Sequence, residues 1–287
     1  MAKVTAISSL GWAHYTLFEA LPRMAARGFR RIEIASFGEY CFHFNFGSPT
    51  PAELKKMLDD LGLTPVCLNY SDSLHPAWKE GQIDVFVEAC RRKIEHLNAA
   101  GIPMMVMHFG GRNDRPDQEQ QLANAVRAFS RVGELAARQG VRMLMEVPHL
   151  YSIMHRPEQV LWVVERLESA NVGVLVDTSH WGITRYDLRA YFGALGRRLW
   201  HIHLRDSRGE DTADMKQDLE LTPGVGTVDF ARFGRALDEA GYAGDVSLEF
   251  EYRDMTLEAI EREYDKGLQH LRSAGWQLPA GVRGADR

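Results

Sequence analysis

Short runs of apolar, often β-branched residues alternate along the whole chain with longer stretches in which apolar positions recur every three or four residues. The first such pair is Val4–Leu10 followed by Leu17–Ala26, where Leu17, Ala20, Leu21 and Met24 share one helical face. Arg31–Ser36 then leads through a loop of mostly aromatic and polar residues, Phe37 to Phe46, to a helix over Ala52–Leu61, opened by Pro51 at a favoured first-turn position. Thr64–Tyr70 precedes a helix over Ile83–Ala99, and Met104–Gly110 precedes a long one over Gln118–Gln139. The second half repeats the pattern: Arg142–Pro148 with Pro157–Ser169, Val172–Thr178 with Leu188–Leu195, Leu199–Asp206 with Phe230–Ala240, and Asp245–Tyr252 with Leu257–Ala274.

Strand-then-helix units predict parallel strands joined by right-handed crossovers, and eight of them close into a (β/α)8 TIM barrel. The expectation is one α/β domain over residues 1–275, with 276–287 a frayed tail. An open doubly wound sheet competes, but usually needs fewer units. No Pro/Gly/Ser-rich or strongly charged linker divides the 287 residues, and a hydrophobic content of 45% is enough for a full core. With a net charge of −5 and scattered Lys and Arg there is no basic footprint, so nucleic acid is not an expected partner. The three cysteines, Cys41, Cys67 and Cys90, form neither a disulfide framework nor a CxxC site and read as reduced thiols. No stretch nears the roughly 18 apolar residues of a membrane span. The opening MAKVTAISSLGW has no sustained apolar segment of a secretory leader, so a cytoplasmic protein without a membrane partner is expected.

The candidate chemistry lies where apolar runs end in a charge. VGVLVDTSHW, residues 172–181, ends abruptly in Asp177, with His180 three places on. Three other runs end alike, at Glu146 in RMLMEVPH, His203 in LWHIHLRD and Glu249 in GDVSLEFEY. A carboxylate buried at a strand end is costly unless bound, and in such a barrel the C-terminal strand ends converge on one face. Three carboxylates with one imidazole suit one divalent ion, Mn²⁺, Mg²⁺ or Co²⁺, with Zn²⁺ tolerated. About two octahedral positions stay free for a carbonyl and its neighbouring hydroxyl, activating the α-proton. Glu146 and Glu249 are the pair assigned to proton transfer.

Around this set, His108, His180, His149 and Arg205 are candidate substrate contacts, and Trp12, Phe37 and Trp181 fall in loops where a sugar could stack. Glu251 competes with Glu249 as ligand, while His201 reads as a core histidine or a support for the ligands. The segment PGVGTVDF, Pro223–Phe230, lacks the third glycine and the leading strand of a dinucleotide fingerprint. Asp229 is expected to cap the next helix, with the glycines shaping the turn and a phosphate as a minor alternative for that segment. The loops Phe37–Pro49 and Ser207–Gly226 exceed ordinary βα lengths and are expected to form a lid.

With DTSH, HIHLRD, PGVGTVDF and SLEFE in order, nearly the whole chain resembles the xylose isomerase-like barrel superfamily, especially its sugar isomerase/epimerase branch. The resemblance implies a (β/α)8 barrel holding one divalent ion on two Glu, one Asp and one His, which match Glu146, Asp177, His203 and Glu249. In ketose 3-epimerases of this kind the two metal-bound glutamates act as the acid/base pair. A histidine three residues after the Asp is matched by His180, and an arginine after the metal His by Arg205 or Arg208. The same scaffold serves inosose and dehydroshikimate dehydratases, the barrel subunit of C-glycoside deglycosidases and apurinic-site endonucleases. The last need an Asp-x-His pair after strand seven, and no histidine occurs between His203 and His270. The implied function is metal-dependent isomerisation or epimerisation of a keto-sugar or keto-polyol, with a dehydratase or lyase as the alternative. A homo-oligomer or a partner subunit stays open.

Overall fold

The computed structural model describes residues 1–282 except Glu39, Phe46, 72–79, 108–117, 150–151, 181–185, 209–219 and Arg253. Eight parallel strands form the barrel: β1 (Ala6–Ser8), β2 (Arg31–Phe37), β3 (Thr64–Ser71), β4 (Met104–Met107), β5 (Arg142–Glu146), β6 (Val172–Asp177), β7 (Leu199–Leu204) and β8 (Asp245–Leu248). Each pairs with its neighbours in chain order, and pairing of β1 with both β2 and β8 closes the ring. A two-residue strand, Cys41–Phe42, folds back antiparallel on β2. The helices outside the ring are α1 (Leu17–Ala26), α2 (Pro51–Leu61), α3 (Ile83–Ala100), α4 (Gln118–Arg138), α5 (Pro157–Val164), α6 (Leu188–Leu195), α7 (Phe230–Glu239) and α8 (Leu257–Ser273).

Local chemistry sets these boundaries. Thr16 with Glu19 and Thr50 with Glu53 form reciprocal capping boxes that satisfy the first free amides of α1 and α2. Gly62 ends α2 in the left-handed region, at φ 61°, where a side chain would be strained. Helix α5 stops at Val164 although apolar periodicity predicts it to Ser169. Beyond it, Glu168 gives its amide to the Ser130 hydroxyl and Arg198 takes the Ser169 carbonyl, so tertiary partners outbid the helical ladder.

The main core lies between ring and helices and includes Phe29, Ile94, Phe129, Phe192, Phe233 and Leu268, all buried. The ring interior holds a smaller apolar plug of Ala6, Val66, Cys67, Met104, Val106, Leu144 and Leu175. The expected frayed tail is corrected up to Val282. Gln277 pairs with the N-terminal segment through its bonds to Val4 and Ala2, Trp276 donates to the Phe230 carbonyl, and Val282 is buried. All three cysteines are free and buried. Among the described residues, no helix is long and apolar enough to cross a membrane.

Candidate metal centre

Because β5 to β8 are parallel neighbours in register, their C-terminal ends lie side by side. Glu146 and Asp177 are the last residues of β5 and β6, His203 is next to last in β7, and Glu249 directly follows β8. In that last run the predicted strand continues to Tyr252, but the observed one ends at Leu248 and only the Glu249 amide extends the ladder, to the Leu204 carbonyl. One ligand atom from each of Glu146, Asp177, His203 and Glu249 lies within 4.8 Å of the other three, and all four residues are buried. Donors held about 2.0–2.2 Å from a single ion can be no more than about twice that apart, so the set needs only a small contraction. His203 Nδ1 sits 3.1 Å from Glu249 Oε2 and 3.6 Å from Glu146 Oε1, yet makes no aligned hydrogen bond. A buried imidazole nitrogen without a hydrogen bond, aimed among carboxylates, fits a divalent cation.

The electrostatics agree with that fit. Burial pushes the Glu249 carboxyl up to about 7, against the opposing pull of His203 and Arg205, with Glu146 adding to the rise. Burial alone would discharge His203, but the carboxylates of Glu249 and Glu33 hold it well above the ordinary histidine range.

Arg205 is the fixed cation in the cluster. Its Nε donates to Ser179 Oγ at 3.2 Å, one terminal nitrogen to Glu251 Oε2 at 3.1 Å and the other to Asp177 Oδ2 at 2.6 Å. Each guanidinium nitrogen therefore has a protein partner, whereas Arg208, the other candidate arginine, is exposed. Glu251 also accepts from the Tyr40 hydroxyl and is not one of the four convergent groups. His180 lies 3.8 Å from Glu146 Oε1 and 3.7 Å from Asp177 Oδ2, its ring against that of His149 with centroids 3.9 Å apart. Both histidines thus border the centre. His108 and Trp181 lie outside the described residues.

Trp12 requires correction as a stacking platform. It is fully buried and its ring stacks on Tyr264 at 4.7 Å, because the short helix that carries it packs under α8. Phe37 is half-buried and stacks on Tyr40. Open aromatic faces occur instead at Phe18 and Phe42, 63% and 58% exposed, which with Tyr15, Tyr40 and His43 line a cavity of about 520 Å³. In the glycine segment the expected turn is present and only the minor phosphate alternative falls away. The amides of Gly224, Gly226 and Val228 donate to the Asp206 carboxylate at 2.8–3.0 Å, so a resident side chain takes the place of any phosphate. Asp229 caps α7 through the Arg232 amide, as expected.

Two residues escaped the reading of strand ends. Glu33, in the middle of β2, is fully buried and places Oε2 2.8 Å from His203 Nε2 and 3.0 Å from His201 Nε2. Asn69, in β3, donates to Glu249 Oε1 at 2.5 Å. The signal available for both was a polar residue interrupting an apolar run, RIEIAS and TPVCLNY.

A family model described as "Xylose isomerase-like TIM barrel" matches residues 21–274. Among similar proteins, a 3-dehydroshikimate dehydratase of Pseudomonas aeruginosa is 25% identical over 82% of this chain and 36% of its own, so the chain spans about a third of that relative. An L-ribulose 3-epimerase of Methylomonas sp. is 29% identical over 48% of this chain and 46% of its own. A solved structure described as the IOLI protein with a binding zinc atom superposes with a TM-score of 0.73 at 17% identity, over 94% of this chain and 95% of that one.

Proposed function

Since this chain belongs to the xylose isomerase-like TIM barrel family, we propose that it is a divalent-metal-dependent isomerase or epimerase that removes and returns a proton α to the carbonyl of a keto-sugar or keto-polyol. The observation that carries this reading is the convergence of Glu146, Asp177, His203 and Glu249, with its two glutamates on β5 and after β8, separated by two strands. These four residues would hold the ion. When bound, it would polarise a carbonyl and its neighbouring hydroxyl and so acidify the intervening C–H. The oxygen-rich donor set favours Mn²⁺, Mg²⁺ or Co²⁺, and Zn²⁺ also suits it.

The remaining steps fall to the side chains. A substrate carbon lying between Glu146 and Glu249 loses its proton to one carboxylate and regains one from the other on the opposite face. His180 and His149, at the rim of the centre, are placed to hydrogen-bond substrate hydroxyls. Arg205 steadies Asp177 and Glu251 and balances their charge. Burial of all four ligand residues keeps bulk water from the reacting carbon.

A dehydratase or lyase is the second reading, favoured by the dehydratase relative that aligns with 82% of this chain. It begins with the same proton removal and differs in whether a β-hydroxyl then leaves. Incubation of the Mn²⁺-loaded protein with keto-sugars, inososes and 3-oxo-glycosides in D₂O distinguishes the two. Deuterium incorporation without elimination is the expected result, and loss of water or aglycone makes it a lyase. Glu249→Gln should keep the fold and lower exchange by about 100-fold or more. Exchange at the normal rate in that variant removes the acid/base assignment.

A further inference from the structure

A carboxylate in the floor of the barrel has no part in the chemistry so far described. Glu33 is wholly buried, and a single oxygen, Oε2, meets donors from two other strands: His203 Nε2 at 2.8 Å, His201 Nε2 at 3.0 Å and Cys67 Sγ at 3.1 Å. His201 Nε2 in turn lies 3.0 Å from Ser247 Oγ on β8. Burying a charge there is costly, and an apolar residue beside Val66, Leu144 and Leu175 would avoid that cost. What an apolar residue could not do is tell apart the two ring nitrogens of His203. Only Nδ1 faces Glu146 and Glu249, while Nε2 faces Glu33.

A neutral imidazole carries one N–H and one lone pair, and the hydrogen bond made by one nitrogen decides which role the other plays. We propose that Glu33 is a positioning residue: it accepts the Nε2–H of His203, which fixes the ring and leaves the Nδ1 lone pair directed at the ion site. His201 and Cys67 anchor its carboxylate from below. The proposal rests on the metal-centre reading and adds that ion affinity is set partly from a residue that touches neither ion nor substrate.

The first test leaves Glu33 unchanged. In ¹⁵N-histidine-labelled protein loaded with Zn²⁺, long-range ¹H–¹⁵N spectra should show His203, identified by its loss in His203→Asn, protonated at Nε2 and metal-bound at Nδ1. The second compares Zn²⁺ affinity by chelator competition in Glu33→Gln and Glu33→Asp. An amide keeps one acceptor oxygen for the His203 Nε2–H but loses the charge that strengthens this bond, so Glu33→Gln should bind Zn²⁺ about 10–100-fold more weakly. Glu33→Asp, which keeps the charge one methylene further back, should recover part of the loss. The visible spectrum of the Co²⁺ form should shift in Glu33→Gln, a change that a merely structural role would not produce. Coordination of Zn²⁺ through His203 Nε2, or equal affinity and an unchanged Co²⁺ spectrum in Glu33→Gln, overturns the proposal and leaves the metal centre standing. A wild-type protein that takes up no ion overturns both.

Discussion

Replacing Asp206 by Asn isolates what the side chain does for the loop after β7. Its two carboxylate oxygens accept four backbone amides: Ser207 and Val228 on Oδ1 at 2.8 and 3.0 Å, Gly224 and Gly226 on Oδ2 at 2.8 and 2.9 Å. The carboxylate is buried, and backbone bonds between Asp206 and Leu221 close the loop beside it. An amide in its place turns one acceptor atom into a donor, so two of the four N–H groups lose their partner and face another N–H. Hydrogen bonds to a charged acceptor contribute about 1.5–3 kcal/mol each. Water can reach Gly224, which is exposed, so the lower end applies on that side. The expected loss is about 3–4 kcal/mol in urea unfolding, or a fall in Tm on the order of 6–12 °C for a domain of this size. Hydrogen exchange should speed up first at residues 221–228. A loss under about 1 kcal/mol, with exchange there unchanged, would refute the claim that this carboxylate organises the loop.

Other outcomes follow from the same geometry. Because burial raises the Glu249 carboxyl to about 7 and neighbouring carboxylates keep His203 charged, an incoming ion must displace protons from both; its affinity should rise with pH up to about 7 on account of Glu249 and go on rising above that on account of His203, by about tenfold per unit for each proton displaced. Calorimetry at several pH values in two buffers checks this, and a flat affinity sinks it. Deleting 277–287 removes the buried Val282 and the two bonds of Gln277 to Val4 and Ala2, so unfolding in urea should show a loss of about 3 kcal/mol. A loss below about 1 kcal/mol would mean that the tail is frayed after all. Trp12→Phe should cost about 1–2 kcal/mol through its stack on Tyr264 while KM stays within about twofold. A tenfold rise in KM at unchanged stability would restore Trp12 to the substrate site.

How far the sequence could be read depended on what each residue's neighbours in the chain reveal. Strands buried on both faces leave continuous apolar runs, and helices with one apolar stripe leave periodic ones, so α1 and α6 lie where their patterns place them. Helix α5 overran because its end is set by Ser130 and Arg198, which are distant in sequence. At the centre, Glu146, Asp177, His203 and Glu249 stood out because a charge ending an apolar run is anomalous by itself. Trp12 was misplaced for the opposite reason: an aromatic in a loop looks the same whether it stacks on a ligand or on Tyr264.

Glu33 shows the limit of reading strand ends alone. The pairing of β2 with β3 shifts between Ile32 and Glu33, where Pro65 and then Cys67 are the partners, so the extra residue, Val66, lies in β3 and the alternation of β2 runs on unbroken, with Ile32 and Ile34 toward the helices and Glu33 on the other side. Glu33 thus meets His201 and His203, and the shift in β3 sets Cys67 beside it. Such an inward charge weakens the barrel as a packed core, and what offsets that cost is orientation. With Glu33 held by His201 and Cys67 from below, and Asp177 held by Arg205 from the side, these groups would meet an ion already in place, with little ordering left for the moment of binding.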